Sequence, residues 1–98
     1  MMDIDFSKNS GVITFNDFSV SDDIPLENQL NELKEDMLQV EFPDGYLLDI
    51  GWRPSFEIDG QFKLVLIKDY DWEQPVYSDS ASNLFELKDK IQIAINKL

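Results

Sequence analysis

The sequence predicts an α+β domain: a single antiparallel sheet of about four to six strands, with a C-terminal amphipathic helix packed on one face and a shorter helix before the central hairpin. Three observations lead there. Apolar residues alternate with polar ones through much of the middle of the chain, and Pro43-Asp44-Gly45 and Asp59-Gly60 punctuate that pattern as turns. From Leu84 onward the apolar spacing becomes helical, and leucines between Pro25 and Met37 recur at helical spacing as well. At 98 residues the chain is one domain, residues 1–98, large enough to bury an ordinary core.

Each element has a local reason. Ile4 and Phe6 alternate with Asp3, Asp5 and Ser7, as in a half-buried strand. Asn9-Ser10-Gly11 is a turn signal, and Val12 to Phe15 is β-branched and aromatic, so an N-terminal hairpin is expected, with one strand and irregular chain as its alternative. Asn16 to Asp23 reads as a third short strand or a loop. Asp22-Asp23-Ile24-Pro25 suits a helix start, because a carboxylate meets free N–H groups and proline needs none in the first turn. Leu26, Leu30, Leu33 and Met37 then share a face, which predicts a helix from about Pro25 to Glu35.

The period changes at Met37. Leu38, Val40 and Phe42 alternate with polar neighbours, Pro43-Asp44-Gly45 turns the chain, and Tyr46, Leu48, Ile50 and Trp52 continue on one face. A hairpin of Met37–Phe42 with Tyr46–Trp52 follows. Arg53-Pro54 ends that strand, since proline cannot continue a central ladder. Phe62 to Lys68 is almost continuously apolar and reads as a central strand covered on both faces or nearly so. Asp69 to Gln74 is a loop, and Pro75 to Asp79 fits an edge strand. Asn83 with Glu86 approximates a capping box, with Ser82 as the competing cap. Leu84, Leu87, Ile91, Ala94, Ile95 and Leu98 form the stripe of the last helix, acids first and lysines last, with Phe85 and Ile93 off the stripe.

Composition removes whole classes of chemistry. The chain has no cysteine, so disulfides and thiolate metal sites are excluded, and it has no histidine, which excludes imidazole bases, Ser–His and Cys–His nucleophiles and His-ligated zinc. The absence of disulfides suits a reducing cytoplasm. No basic n-region or long apolar run marks a signal peptide or membrane span. Twenty acidic against eight basic residues give a formal charge of −12. Such a surface repels nucleic acid and anionic lipid and accelerates encounter with a basic protein, although it also serves plain solubility.

The most distinctive stretch is Asp69-Tyr70-Asp71-Trp72-Glu73, three carboxylates interleaved with two large aromatics at a strand exit. As a protein-binding loop it would offer aromatic anchors and carboxylates for a partner's lysines and arginines. A tryptophan in a small domain is usually core, however, so the structural expectation is that Trp72 turns inward and the acids are solvated. The alternating acids have EF-hand spacing, but Gln74 stands where glycine is needed and Ser80 where a bidentate acid is needed, so no metal site is expected. Arg53 is a candidate interface cation, against a simpler role of neutralising Glu57 or Asp49. Asp17, Asp22, Asp23, Glu27, Glu32, Glu35 and Asp36 form one extended negative field if they share a face with the loop, and separate solvated faces otherwise. A carboxylate pair of the glycosidase kind is available among so many acids, but no pair is singled out.

The order LLDIGWRP, then DGQFKLVLIKDYDWEQP, then an amphipathic helix resembles the small acidic immunity proteins of bacterial toxin–immunity pairs, of the contact-dependent growth inhibition type. The similarity covers about the last half of the chain, and its pieces are Gly51-Trp52-Arg53-Pro54 and Asp71-Trp72-Glu73-Gln74-Pro75. The resemblance implies a cytoplasmic, non-enzymatic protein without cofactor that binds a cognate toxin, for which a basic nuclease domain fits the charge. Each such pair evolves its own interface, so no residue roles transfer. The expected partner-binding residues, Asp69, Tyr70, Asp71, Trp72, Glu73 and Arg53, come from electrostatics and position. The expected state is a monomer apart from the toxin complex, without nucleic acid or membrane. The rivals are a small adaptor that oligomerises through a sheet edge or Ile93, and a carboxylate-based hydrolase.

Overall fold

The computed structural model describes residues 4–98. Five strands form one antiparallel sheet whose spatial order follows the chain: β1 (Val12–Asn16), β2 (Leu38–Glu41), β3 (Tyr46–Arg53), β4 (Gln61–Lys68) and β5 (Tyr77–Ala81). A single α-helix, α1 (Leu84–Ile95), packs against β4 and β5. The fold class is the one the sequence predicts.

The β2–β3 hairpin pairs Leu38 with Ile50 and Val40 with Leu48. At its turn both Asp44 (φ 67°) and Gly45 (φ 83°) are left-handed, a conformation that glycine adopts freely and aspartate tolerates. β3 and β4 pair along their whole length, from Tyr46 opposite Lys68 to Arg53 opposite Gln61. Directly opposed residues share a face. Tyr46, Leu48, Ile50 and Trp52 therefore join Phe62, Leu64 and Leu66 on an inner face that is buried apart from Tyr46. Leu84, Leu87, Ile91 and Ala94 of α1 and Phe18, Val20 and Leu33 of the first long connection close over it. Trp52 sits near the end of β3. It is 1% exposed, stands edge-on to Phe62 with ring centroids 4.8 Å apart, and donates its indole N–H to the Glu57 carbonyl at 2.8 Å. Asn83 is the cap of α1: its side chain accepts from the Glu86 N–H, and the Glu86 carboxylate accepts from the Ser82 N–H.

Two expected elements are replaced. The Ile4–Ser7 strand is instead a 3-10 turn over Phe6–Asn9, because the Asp5 carboxylate accepts from both the N–H and the hydroxyl of Ser7 and so caps a turn in place of a ladder. Asp3, part of that strand pattern, lies outside the described residues. With no strand there, β1 finds its partner in β2, twenty-odd residues on.

The helix expected over Pro25–Glu35 is only two 3-10 turns, Leu26–Asn28 and Leu30–Glu32, separated at Gln29 (φ −138°). The backbone leaves helical geometry at Gln29 and again at Leu33 (φ −90°, ψ 84°), where the chain is drawn to β3 and the turn that follows it. Leu33 accepts from the Phe56 N–H at 2.8 Å and Lys34 from the Trp52 N–H at 2.7 Å, while Met37 donates to Ile50. Gln29 is buried and its amide ties Ser21 and Ile24. Residues 34–37 thus run beside β3 as an irregular extension of β2. Two smaller differences follow. β5 begins at Tyr77, two residues after the expected start, and α1 ends before Lys97, leaving no base in its last turn.

Candidate functional site: the acidic aromatic loop and the outer sheet face

Among the described residues no α-helix lies on the outer face of the sheet. That face carries Gln39 and Glu41 from β2, Leu47, Asp49, Gly51 and Arg53 from β3, and Lys63, Val65 and Ile67 from β4. Leu47 and Ile67 are buried on it, so β4 is covered on both faces only at that end. Gly51 is required where it stands. A Cβ there would lie 2.7 Å from the Glu35 carbonyl carbon and overlap its oxygen, because the 34–37 segment crosses this point.

At the end of β4 the chain reverses through Asp69 (φ 54°) and Tyr70 (φ 60°), with the Asp71 N–H donating to the Lys68 carbonyl at 3.1 Å. Two consecutive left-handed residues suit the right-handed twist of the strand they leave. The loop is tied at several further points. Asp69 donates its N–H to the Gly45 carbonyl, Asp71 accepts from the Gln74 N–H, and Val76 donates back to Leu66. The backbone that carries the aromatics is therefore ordered before any partner arrives.

Trp72 is not core. It is 48% exposed and, with Pro75, walls a cavity of about 390 Å³ over the outer face, floored by Gly51 and Val65 and rimmed by Asp49, Arg53 and Lys63. The expectation of an inward Trp72 fails because Trp52 already fills the inner face from its strand register. Tyr70, 68% exposed, extends the opposite way, its hydroxyl 3.4 Å from the Glu41 carboxylate. Every residue from Lys68 to Val76 is exposed.

The six predicted site residues fall into three sets. Trp72 and Arg53 meet at the cavity. Tyr70, Asp71 and Glu73 present outward on the loop. Asp69 is exposed, but its carboxylate packs beside Gly45 and braces the hairpin turn. Arg53 pairs with Glu35 at 3.5 Å, a partner that sequence alone did not suggest, and both side chains are more than half exposed, so the pair contributes at most about 1 kcal/mol.

Of the two arrangements open to the acids, one shared field or separate solvated faces, the structure has them divided. Asp22 pairs with Lys88 of α1 and Asp17 with Lys34, both at about 3 Å. Glu32 meets the Ser19 hydroxyl on the connection that covers the inner face. Glu35 and Asp36 do belong with the outer face, through Arg53 and through repulsion of Asp49.

Asp49 was not a predicted site residue. Burial, and secondarily the charge of Asp36, pushes its carboxyl up, while the Gln39 amide and Arg53 work against that shift. It is the one carboxylate lining the cavity under Trp72. A lone charge inside the otherwise apolar run from Tyr46 to Ile50 was the available signal. Elsewhere, the Lys90 ammonium at 3.0 Å, the Ser80 N–H and the Tyr77 hydroxyl hold Asp79 down at about 2, and burial followed by Asp79 pushes Tyr77 up to about 12. Among the described residues no group of three or more Asp or Glu is placed to hold a metal ion, and no helix is long and apolar enough to cross a membrane. Compared with protein-family models, curated proteins and solved structures, the chain matches none.

Proposed function

We propose that this chain is a cytoplasmic immunity protein of a contact-dependent growth inhibition pair, which binds and neutralises a basic toxin domain, with a nuclease the best fit to its charge. One observation carries the reading. In a chain of charge −12, two large aromatics stand exposed between carboxylates on a loop already fixed by hydrogen bonds. Exposed aromatics on ordered backbone lose little entropy on binding and act as anchors. Asp71 and Glu73 meet the partner's lysines and arginines, and the cavity under Trp72 accepts a side chain beside Arg53. The family resemblance of the Gly51–Pro54 and Asp71–Pro75 segments supports the same reading. At the cavity under Trp72 a hydrolytic alternative has less to rest on, since a single carboxylate lines it.

The test is co-expression with the product of the gene immediately upstream, scoring rescue from toxicity and co-purification. Rescue with a one-to-one complex is expected, lost on combining Trp72→Ala with Asp71→Asn and Glu73→Gln. An upstream product that is neither toxic nor bound overturns the reading.

A further inference from the structure

Among the described residues, β1 is an edge strand blunted by nothing but a register irregularity. All five of its residues are exposed, and it carries neither a charge nor a proline. The opposite edge is different. β5 reads Tyr-Ser-Asp-Ser-Ala, and its Asp79 is engaged by Lys90 of α1. Natural sheets blunt their edges with charges, prolines or cover, because unpaired N–H and C=O groups recruit other strands. β5 follows that practice. β1 has only an irregularity between Ile13 and Phe15, where Thr14 reaches the Gln39 carbonyl.

We infer that the free edge of β1 is a strand-docking site whose occupant is an extended segment of a basic protein. This rests on the reading above that the partner is basic. The edge supplies main-chain hydrogen bonds, and alternate side chains supply selectivity. Val12, 63% exposed, lies opposite Glu41, and Phe15 lies opposite Gln39, so both project on the outer face. Glu41 in turn meets the Tyr70 hydroxyl. The apolar edge, the Glu41 carboxylate and the acidic aromatic loop thus form one continuous strip. An added strand would place lysines or arginines on the outer face, beside Val12 and Phe15 and toward Glu41 and the loop, and lay its alternate, apolar residues against Ile13 on the inner face. A second copy of this chain is the poorer occupant, because pairing would bring two charges of −12 together.

The experiment is residue-resolved amide exchange on the whole protein, titrated with a synthetic peptide alternating lysine and valine. A peptide of the same composition with its lysines and valines in two separate blocks is the control. The alternating peptide is expected to slow exchange within Val12–Asn16 on the order of tenfold, and the block peptide to leave it unchanged. Val12→Lys combined with Ile13→Lys is expected to abolish the effect, by repelling the lysines and removing the apolar contact, while the tryptophan emission stays native. Equal protection by both peptides, or none from either, overturns the inference. Protection of β1 that grows with protein concentration in the absence of peptide makes a second copy the occupant and overturns it too. Because no toxin enters the experiment, its failure is separable from failure of the immunity reading.

Discussion

Gly51→Ala tests the junction on which the outer face depends. The added methyl would sit 2.7 Å from the Glu35 carbonyl carbon, where ordinary contact is 3.4–4 Å, and still nearer the oxygen. The obstacle is backbone, so no rotamer change relieves it. Residues 34–37 must move away from β3, yet they are held there by Trp52 to Lys34 at 2.7 Å and Met37 to Ile50 at 3.0 Å. Weakening two such bonds costs about 2 kcal/mol, and overpacking adds about 1–3 kcal/mol. The smaller backbone entropy of unfolded alanine returns roughly 0.4–1 kcal/mol. The net loss is about 2–5 kcal/mol, against a total stability of roughly 5–15 kcal/mol for a domain of this size. Urea unfolding followed by Trp52 fluorescence measures it directly, and a melting temperature lower by roughly 10–25 °C accompanies it. A Gly51→Ala protein within about 0.5 kcal/mol of the parent would refute the close approach of Glu35 and the reasoning built on it.

Further outcomes follow from the same geometry. Trp52→Ala is expected to cost about 3–5 kcal/mol and Trp72→Ala less than about 1 kcal/mol, with acrylamide quenching the Trp72 emission and sparing that of Trp52. Tyr70→Asn is expected to raise stability by about 0.5–1 kcal/mol in urea, since an exposed tyrosine gives up a costly left-handed φ, while association with the basic partner slows. Asp79 is ionised well below its ordinary range, so its contribution to stability is complete above about pH 4 and is lost as pH falls through about 2. Lys90→Met is therefore expected to raise the Asp79 midpoint in a carboxyl NMR titration and to start acid unfolding at higher pH. Asp49 has the opposite sign, because burying its charge opposes folding above its pKa. Asp49→Asn is expected to stabilise the protein at pH 7, with the gain vanishing once the parent carboxyl is protonated, as read from urea midpoints across that range.

The elements that were legible in the sequence are those whose hydrogen bonds lie close along the chain. Period-two alternation and the Pro43-Asp44-Gly45 turn are sufficient to set the β2–β3 register, and Asn83 with Glu86 marks the start of α1. The leucines at 26, 30 and 33 obey a helical period equally well, yet their segment is not a helix. What decides it lies outside that period: the Gln29 side-chain amide is bonded to Ser21 and Ile24 with its backbone out of helical geometry, and the chain leaves the helical path again at Leu33. Helical spacing reports which side chains point inward and says nothing about competing donors. The same limit applies to the tryptophans. Trp52 lies on an alternating strand face and reads correctly as core. Trp72 sits in a loop with no period, so its exposure depends on the left-handed turn at Asp69 and Tyr70, which non-glycine residues do not advertise. The loop was legible as a charged aromatic cluster, but the split between bracing Asp69 and outward Asp71 and Glu73 was not.

The strand order has a consequence for how the molecule is made. Each strand from β2 to β5 pairs with the one synthesised just before it, so the sheet grows by addition at one edge as the chain leaves the ribosome. Contacts of this kind are short in sequence and cheap in loop-closure entropy. The exception is the cover of the inner face, because α1 follows all five strands. Until Leu87 and Ile91 clear the exit tunnel, the part of the inner face over β4 and β5 lacks its lid, and a nascent chain stopped at Ala81 carries a complete ladder over a half-open apolar floor. Cooperative folding thus waits for the last helix, and a chain that stalls before it is a natural client for a chaperone.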